Sequence, residues 1–262
     1  MKFVFSVLAV LLCFLNNDMT GVYADAVLVS VTVGDSVTLH TAGVKNLQPA
    51  DVKWYFNDIR IAQLDGDLRF NCTDIQCNDR TEIFIDRLRL DRKTGALTIV
   101  NITNTHSGVY QLVVIGGGGT IFNVTVHDDP ATHYNKVKKN QGESVTFNPG
   151  VRRDQIVELK CLLNNTLIAE ISVNQSQICA DVQCKERFTD RLKLDNESAS
   201  LTITKTSIKD SGNYKLVILI SSDRRFSITR EKRFSLTVTS LSPSQLSGGA
   251  IAGIVVMLLL LL

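Results

Sequence analysis

No catalytic signature is present in this chain: G-x-S-x-G, H-E-x-x-H and the phosphate-binding loop are all missing. The four histidines, His40, His106, His127 and His133, are scattered, and none neighbours a candidate nucleophile or a cysteine pair. The residues therefore give no reason to expect an enzyme, a metal or another cofactor. Charge of one sign is lacking too. Lys and Arg total 28 against 26 Asp and Glu, so no basic field exists of the kind that nucleic acid requires. Neither terminal apolar run reaches the ~20 residues of a stable helical span.

What the ends do carry is targeting information. Lys2 precedes an apolar run from Phe3 to Leu15, and Val22-Tyr23-Ala24 has the small-residue form of a signal peptidase site, so residues 1–24 are expected to be a cleaved signal peptide. Six N-x-S/T sequons fit that route, and Asn71, Asn101, Asn123, Asn164, Asn174 and Asn196 are candidate glycosylation sites. From Gly248 the chain reads GGAIAGIVVMLLLLL with no basic residue after it. Residues 240–262 are expected to anchor the protein in a membrane, as a glycosylphosphatidylinositol signal with Ser240, Ser242 or Ser244 as attachment point, or as a short transmembrane helix. On either reading there is no signalling tail.

Between the ends the chain repeats. RLRLDRKTGALTIVNITNTHSGVYQL from Arg87 to Leu112 returns as RLKLDNESASLTITKTSIKDSGNYKL from Arg191 to Leu216. Each copy alternates apolar residues with period two, which predicts strands with one buried face. The offset that carries Cys72 and Cys77 onto Cys179 and Cys184 also carries Trp54, the only tryptophan, onto Cys161. A duplication is implied, with each copy near 105 residues, about one sandwich domain. The boundaries follow: 25–128, a linker at 129–135 that opens with Asp129-Pro130, and 136–239.

Two isolated C-x₄-C pairs in an exported chain are expected to be local disulfides, Cys72 with Cys77 and Cys179 with Cys184, leaving Cys161 as a buried thiol or, alternatively, the point of an intermolecular bridge. The remaining question is what ties each sandwich together.

The run GDSVTLHT from Gly34, the pattern W-x₆-I-A from Trp54, RLRLDRKTGALTI, and HSGVYQL with its strand-F tyrosine place the chain among the all-β immunoglobulin superfamily: two tandem immunoglobulin-like, variable-type β-sandwich domains. In detail they resemble the signalling lymphocytic activation molecule (SLAM) family of cell-surface receptors, especially those of bony fishes. The bridge that normally links strands B and F is lost, with Thr41 and Leu112 at its positions in the first copy and Pro149 and Leu216 in the second. Its loss in the first domain is a habit of the family. The chain departs from the SLAM pattern in having two variable-type domains, and in having His106 where the second copy has Asp210, a carboxylate placed to pair with Arg187 or Arg191.

The resemblance implies a cell-surface recognition or adhesion protein, receptor or ligand, that binds another immunoglobulin-fold surface protein, of its own kind or a different one. The G-F-C-C′ face of domain 1 would carry the contact through Lys53, Tyr55, Asn57, Gln111 and Val113. A secreted decoy or structural glycoprotein is the alternative. A basic cluster of Arg224, Arg225, Arg230, Lys232 and Arg233 falls near the second F–G hairpin, which should face the interdomain joint, and is read as solvated surface or joint contact. The match of Thr132–Val137 to the T-x-Y-x-x-V motif of SLAM-type tails lies in the linker and is read as coincidence.

Overall fold

The computed structural model describes residues 26–41, 51–65, 72–73, 82–115, 118–128, 135–173 and 175–240. The signal and anchor segments, Asn71, Asn174, the Cys72–Cys77 bridge and most of the linker lie outside the described residues.

Alternation becomes strand throughout. The first domain contains β1 (Val27–Thr32), β2 (Ser36–Leu39), β3 (Asp51–Phe56), β4 (Ile59–Asp65), β5 (Cys72–Thr73), β6 (Leu88–Leu90), β7 (Leu97–Ile99), β8 (Gly108–Val114) and β9 (Gly119–His127). One sheet runs β1-β9-β8-β3-β4-β5 and the other β2-β7-β6. The second domain repeats this with β10 (Asn135–Asn140), β11 (Val145–Phe147), β12 (Ile156–Leu163), β13 (Thr166–Ser172), β14 (Ser176–Ile178), β15 (Leu192–Asp195), β16 (Ser200–Ile203), β17 (Gly212–Asp223) and β18 (Phe226–Thr239). In each domain the first strand lies parallel to the last, β1 on β9 and β10 on β18. With β4 and β13 as C′ strands, this is the variable-type arrangement of the immunoglobulin sandwich. Strand β10 begins at Asn135, the last residue assigned to the linker from the sequence.

The cores are aliphatic where a disulfide usually sits. Leu112 and Leu216 are fully buried, Thr41 lies past the end of β2 with its hydroxyl donating to Thr94 O, and Pro149 is buried. Trp54 is buried and donates from Nε1 to Gly95 O at 2.9 Å. Cys161 occupies the matching place on β12, opposite Leu216 as Trp54 is opposite Leu112. It is buried, and burial pushes its thiol up to about 12. Both tyrosine corners form: Tyr110 donates to His106 O at 2.9 Å and Tyr214 to Asp210 O at 2.7 Å. The preceding glycines are required by close packing. A Cβ on Gly108 would stand 2.7 Å from the Phe56 ring, and one on Gly212 2.8 Å from Leu163.

At the E–F corner the copies diverge as the sequence indicates. Asp210 is fully buried, accepts from Ser207 N, and takes Arg191 in two bonds of 2.5 and 3.0 Å. Burial pushes this carboxyl up, but the Arg191 bonds, the Ser207 N–H and the Arg191 charge outweigh it and hold it below the usual range. Arg187 bonds Lys209 O instead. In domain 1, His106 takes over the capping role: Thr103 N donates to its Nδ1 at 3.0 Å, and its Nε2 lies 2.8 Å from Ile83 O.

Two features were not foreseen. One is a short helix, α1 (Val182–Phe188), in the loop between β14 and β15, capped by Asp181 and tied at its first turn by the Cys179–Cys184 disulfide. The other is the joint. The sequence suggests separate beads, whereas β18 pairs antiparallel with β2, Phe226 opposite Leu39 and Thr229 opposite Ser36, and fuses two sheets into one. The cause is strand length. Strand β9 has 9 residues and is paired with β1 to its end, while β18 has 14, of which β10 covers only Phe234–Thr239. The uncovered stretch supplies the open edge of β2 with a partner, which removes two exposed edges at once. Phe226 and Ile228 are buried there and join the two hydrophobic cores. Arg230 seals the side by pairing with Asp35, while Arg225 and Arg233 pair locally with Asp223 and Glu231.

Candidate partner-binding face

A strand pair turns every second residue outward, so the register of β3, β8 and β9 fixes which side chains share the free face of domain 1. One cross-strand row is Gln63, Lys53, Val113 and Gly119; the next is Tyr55, Gln111 and Ile121; the third holds Val109 and Asn123. Lys53, Tyr55, Gln111 and Val113 are half-buried, and Val109 and Ile115 are exposed. Four of the five residues expected from the sequence are therefore brought together.

Asn57 is not on the strand face. It occupies the β3–β4 turn with Asp58, both at positive φ, and its Oδ1 accepts from Val109 N at 3.0 Å. That conformation is the type I′ hairpin turn, in which Asn is favoured because it tolerates the left-handed region. Val109 and Ile121 extend the face and were missed, although continuing the period of two from Gln111 along β8 reaches Val109; exposed Ile115 follows in the turn after β8.

On the equivalent face of domain 2 the matching lysine is paired, while Lys215, at the place of Gln111, stands opposite Arg233. Lys160 matches Lys53, and it meets Glu158 at 2.8 Å and Glu170 at 3.6 Å. Hydrogen bonding to Lys160 lowers the Glu158 carboxyl, and hydrogen bonding to Glu158 raises the Lys160 ammonium. Glu170 stands opposite Lys160 where neutral Gln63 stands opposite Lys53, and Gln63 is already bonded to Arg60. Among the described residues, Lys53, Tyr55 and Gln111 make no side-chain hydrogen bond or ion pair.

The sequons in the described residues, Asn101, Asn123, Asn164 and Asn196, are all exposed. Among the described residues no group of three His, Cys, Asp or Glu could hold a metal ion, and no helix is long and apolar enough to cross a membrane.

No family model and no curated protein sequence matches this chain. Solved structures that do match are immunoglobulin-type. CD84, described in connection with SLAM family function, is 20% identical over 41% of this chain and 99% of its own, with a TM-score of 0.34. Murine CRIg is 17% identical over 40% of this chain and 92% of its own, with a TM-score of 0.33. Sidekick-1 immunoglobulin domains 1–5 are 15% identical over 82% of this chain and 38% of theirs, with a TM-score of 0.28. At such similarity the fold rests on the chain's own strand order, its parallel first and last strands and its two tyrosine corners: two tandem immunoglobulin-like β-sandwiches.

Proposed function

We propose that this is a cell-surface recognition or adhesion protein that binds another immunoglobulin-fold surface protein through the G-F-C-C′ face of domain 1. The contrast between two copies of one sheet supports it. On this face domain 2 pairs Lys160 with Glu158 and Glu170, whereas domain 1, among the described residues, leaves Lys53, Tyr55 and Gln111 unpaired beside Val113 and Ile121. An aromatic residue and aliphatic residues ringed by polar groups able to bond outward make the composition of a protein interface. The SLAM-like sequence features agree, and CD84 is among the similar structures.

The experiment is cell aggregation, or ectodomain binding to a panel of surface proteins, with Tyr55→Arg and Gln111→Arg. Each adds a cation that cannot be desolvated against an apolar partner, so binding should fall at least tenfold. Wild-type binding by both variants would refute the face.

The same reading places the protein on the outer surface of the membrane, attached by lipid through 240–262. Phosphatidylinositol-specific phospholipase C should release it from cells, and retention after treatment would favour a helical anchor.

A further inference from the structure

Period two sends Asn123 and Thr125 of β9 to the same free face, and both are exposed. Asn123 lies directly between Leu28 of β1 and Val109 of β8. Those neighbours are 75% and 43% exposed, on a face whose adjoining outward residues on β1 and β9 are Ser30 and Thr125. Apolar side chains held open to water on a solvated sheet face need a cover.

The duplication provides an internal control. The row Leu28, Asn123, Val109 corresponds in domain 2 to Lys136, Ser235, Asn213, by the same parallel and antiparallel registers. There the sequon is gone, and both flanks are polar. Apolar flanks accompany the asparagine acceptor, and polar flanks accompany its loss.

We propose that Asn123 carries an N-linked glycan whose innermost N-acetylglucosamine lies over Leu28 and Val109. The amide Nδ2 bonds to the anomeric carbon of an oligosaccharide donor linked to a polyprenyl pyrophosphate. The anomeric carbon–oxygen bond breaks, the lipid pyrophosphate departs, and the transferase removes the amide proton. The C–H face of the sugar takes the two side chains out of water, and its hydroxyls face solvent. Resting on the face proposed above, this glycan confines the partner to the Tyr55–Gln111–Ile121 and Lys53–Val113 rows.

The test uses the full chain expressed in animal cells and purified from them: wild type, Asn123→Gln, Thr125→Ala, and Asn123→Gln combined with Leu28→Lys and Val109→Asn, the domain 2 flanks. Glycopeptide mass should show Asn123 occupied. Both single variants, which remove the sequon by different atoms, should bind an apolar dye several-fold more strongly than wild type, and the triple variant should return to the wild-type level. An unmodified Asn123, or dye binding unchanged in both single variants, would overturn the proposal. The partner assay separates it from the reading of the face. Normal partner binding by Tyr55→Arg with an occupied, dye-excluding Asn123 refutes the face and leaves the glycan standing, and loss of binding by Tyr55→Arg with a bare Asn123 does the reverse.

Discussion

Arg230 of the second domain grips Asp35 of the first in a fork, Nη2 at 2.7 Å and Nε at 3.0 Å from its carboxylate oxygens, with Nη2 also donating to Thr32 Oγ1 at 2.8 Å. Asp35 is 3% exposed and also accepts from Thr32 N, so one carboxylate shapes the β1–β2 turn and closes the joint. The turn is inherited and the lock is not. Glu143, in the same place in domain 2, caps its own turn through Asn140 N and remains exposed.

Removing one partner of a buried pair leaves the other charge uncompensated, at about 3–5 kcal/mol. Arg230→Met should therefore open the joint while both sandwiches stay folded. The reporter is the His40 amide, which donates to Arg225 O at 2.7 Å across the domains. Its hydrogen exchange should accelerate by about a hundredfold or more, the equivalent of ~3 kcal/mol, and X-ray scattering should show a longer particle. Unchanged exchange at His40 would mean that β18–β2 pairing holds without the ion pair.

His106 makes domain 1 the acid-sensitive half. Its Nδ1 must be unprotonated to accept from Thr103 N, which leaves Nε2–H to donate to Ile83 O. Burial lowers its pKa, and the Arg87 charge lowers it further against the raising effect of its bonds to Ile83 and Thr103. A histidine with a lowered folded pKa contributes stability that is present above its unfolded value, about 6.5, and is lost as pH falls. Titration from pH 8 to 5 should thus destabilise domain 1, and His106→Asp, which copies Asp210 beneath Arg87, should remove the His106 share of that loss and leave the share of His40, whose pKa burial also lowers. His106→Ala should cost about 1–3 kcal/mol at pH 8 by orphaning the Thr103 N–H and the Ile83 carbonyl. A thermal midpoint of domain 1 flat between pH 8 and 5 would contradict this assignment.

The residues from Arg87 to Leu112 declared their strands because one face of each is buried and the other wet, and the SGxY glycines and tyrosines carry steric and hydrogen-bonding demands that any sandwich of this kind must meet. The joint was illegible for the opposite reason. Alternation runs unbroken along β18, so nothing local separates the residues that serve β10 from those that serve β2. Helix α1 was hidden within a polar loop, too short to show a period. On the candidate face the outward residues of β3 and β8 were readable from their buried neighbours. Asn57 was misplaced because a turn residue continues the count of two without sharing the sheet's plane.

Cys161 is a core residue and should behave as one. With its thiol pushed up to about 12 and no exposed surface, it has essentially no thiolate at pH 8. Iodoacetamide should leave native protein unmodified for hours and alkylate it fully once unfolded in guanidinium. Rapid labelling of folded protein would show that β12 opens locally, and a covalent dimer through Cys161 would show that the burial is wrong.

The Cys179–Cys184 bridge closes a loop of only six residues, and loop-closure entropy makes such a constraint worth about 2 kcal/mol, against more than 4 for the long loop of a strand B to strand F bridge. Its effect should also be local. Cys179 N donates to Ile168 O on β13, and Asp181 accepts from Cys184 N at the start of α1, so the bridge fixes the loop to the C′ edge of the sheet. Replacing both cysteines with alanine should lower the stability of domain 2 by about 2 kcal/mol and accelerate exchange in residues 179–188, leaving β12 and β17 protected. Global unfolding of domain 2 in the double variant would mean that this small loop has taken over the stabilising role of the missing central disulfide, and that the aliphatic core around Leu216 is insufficient without it.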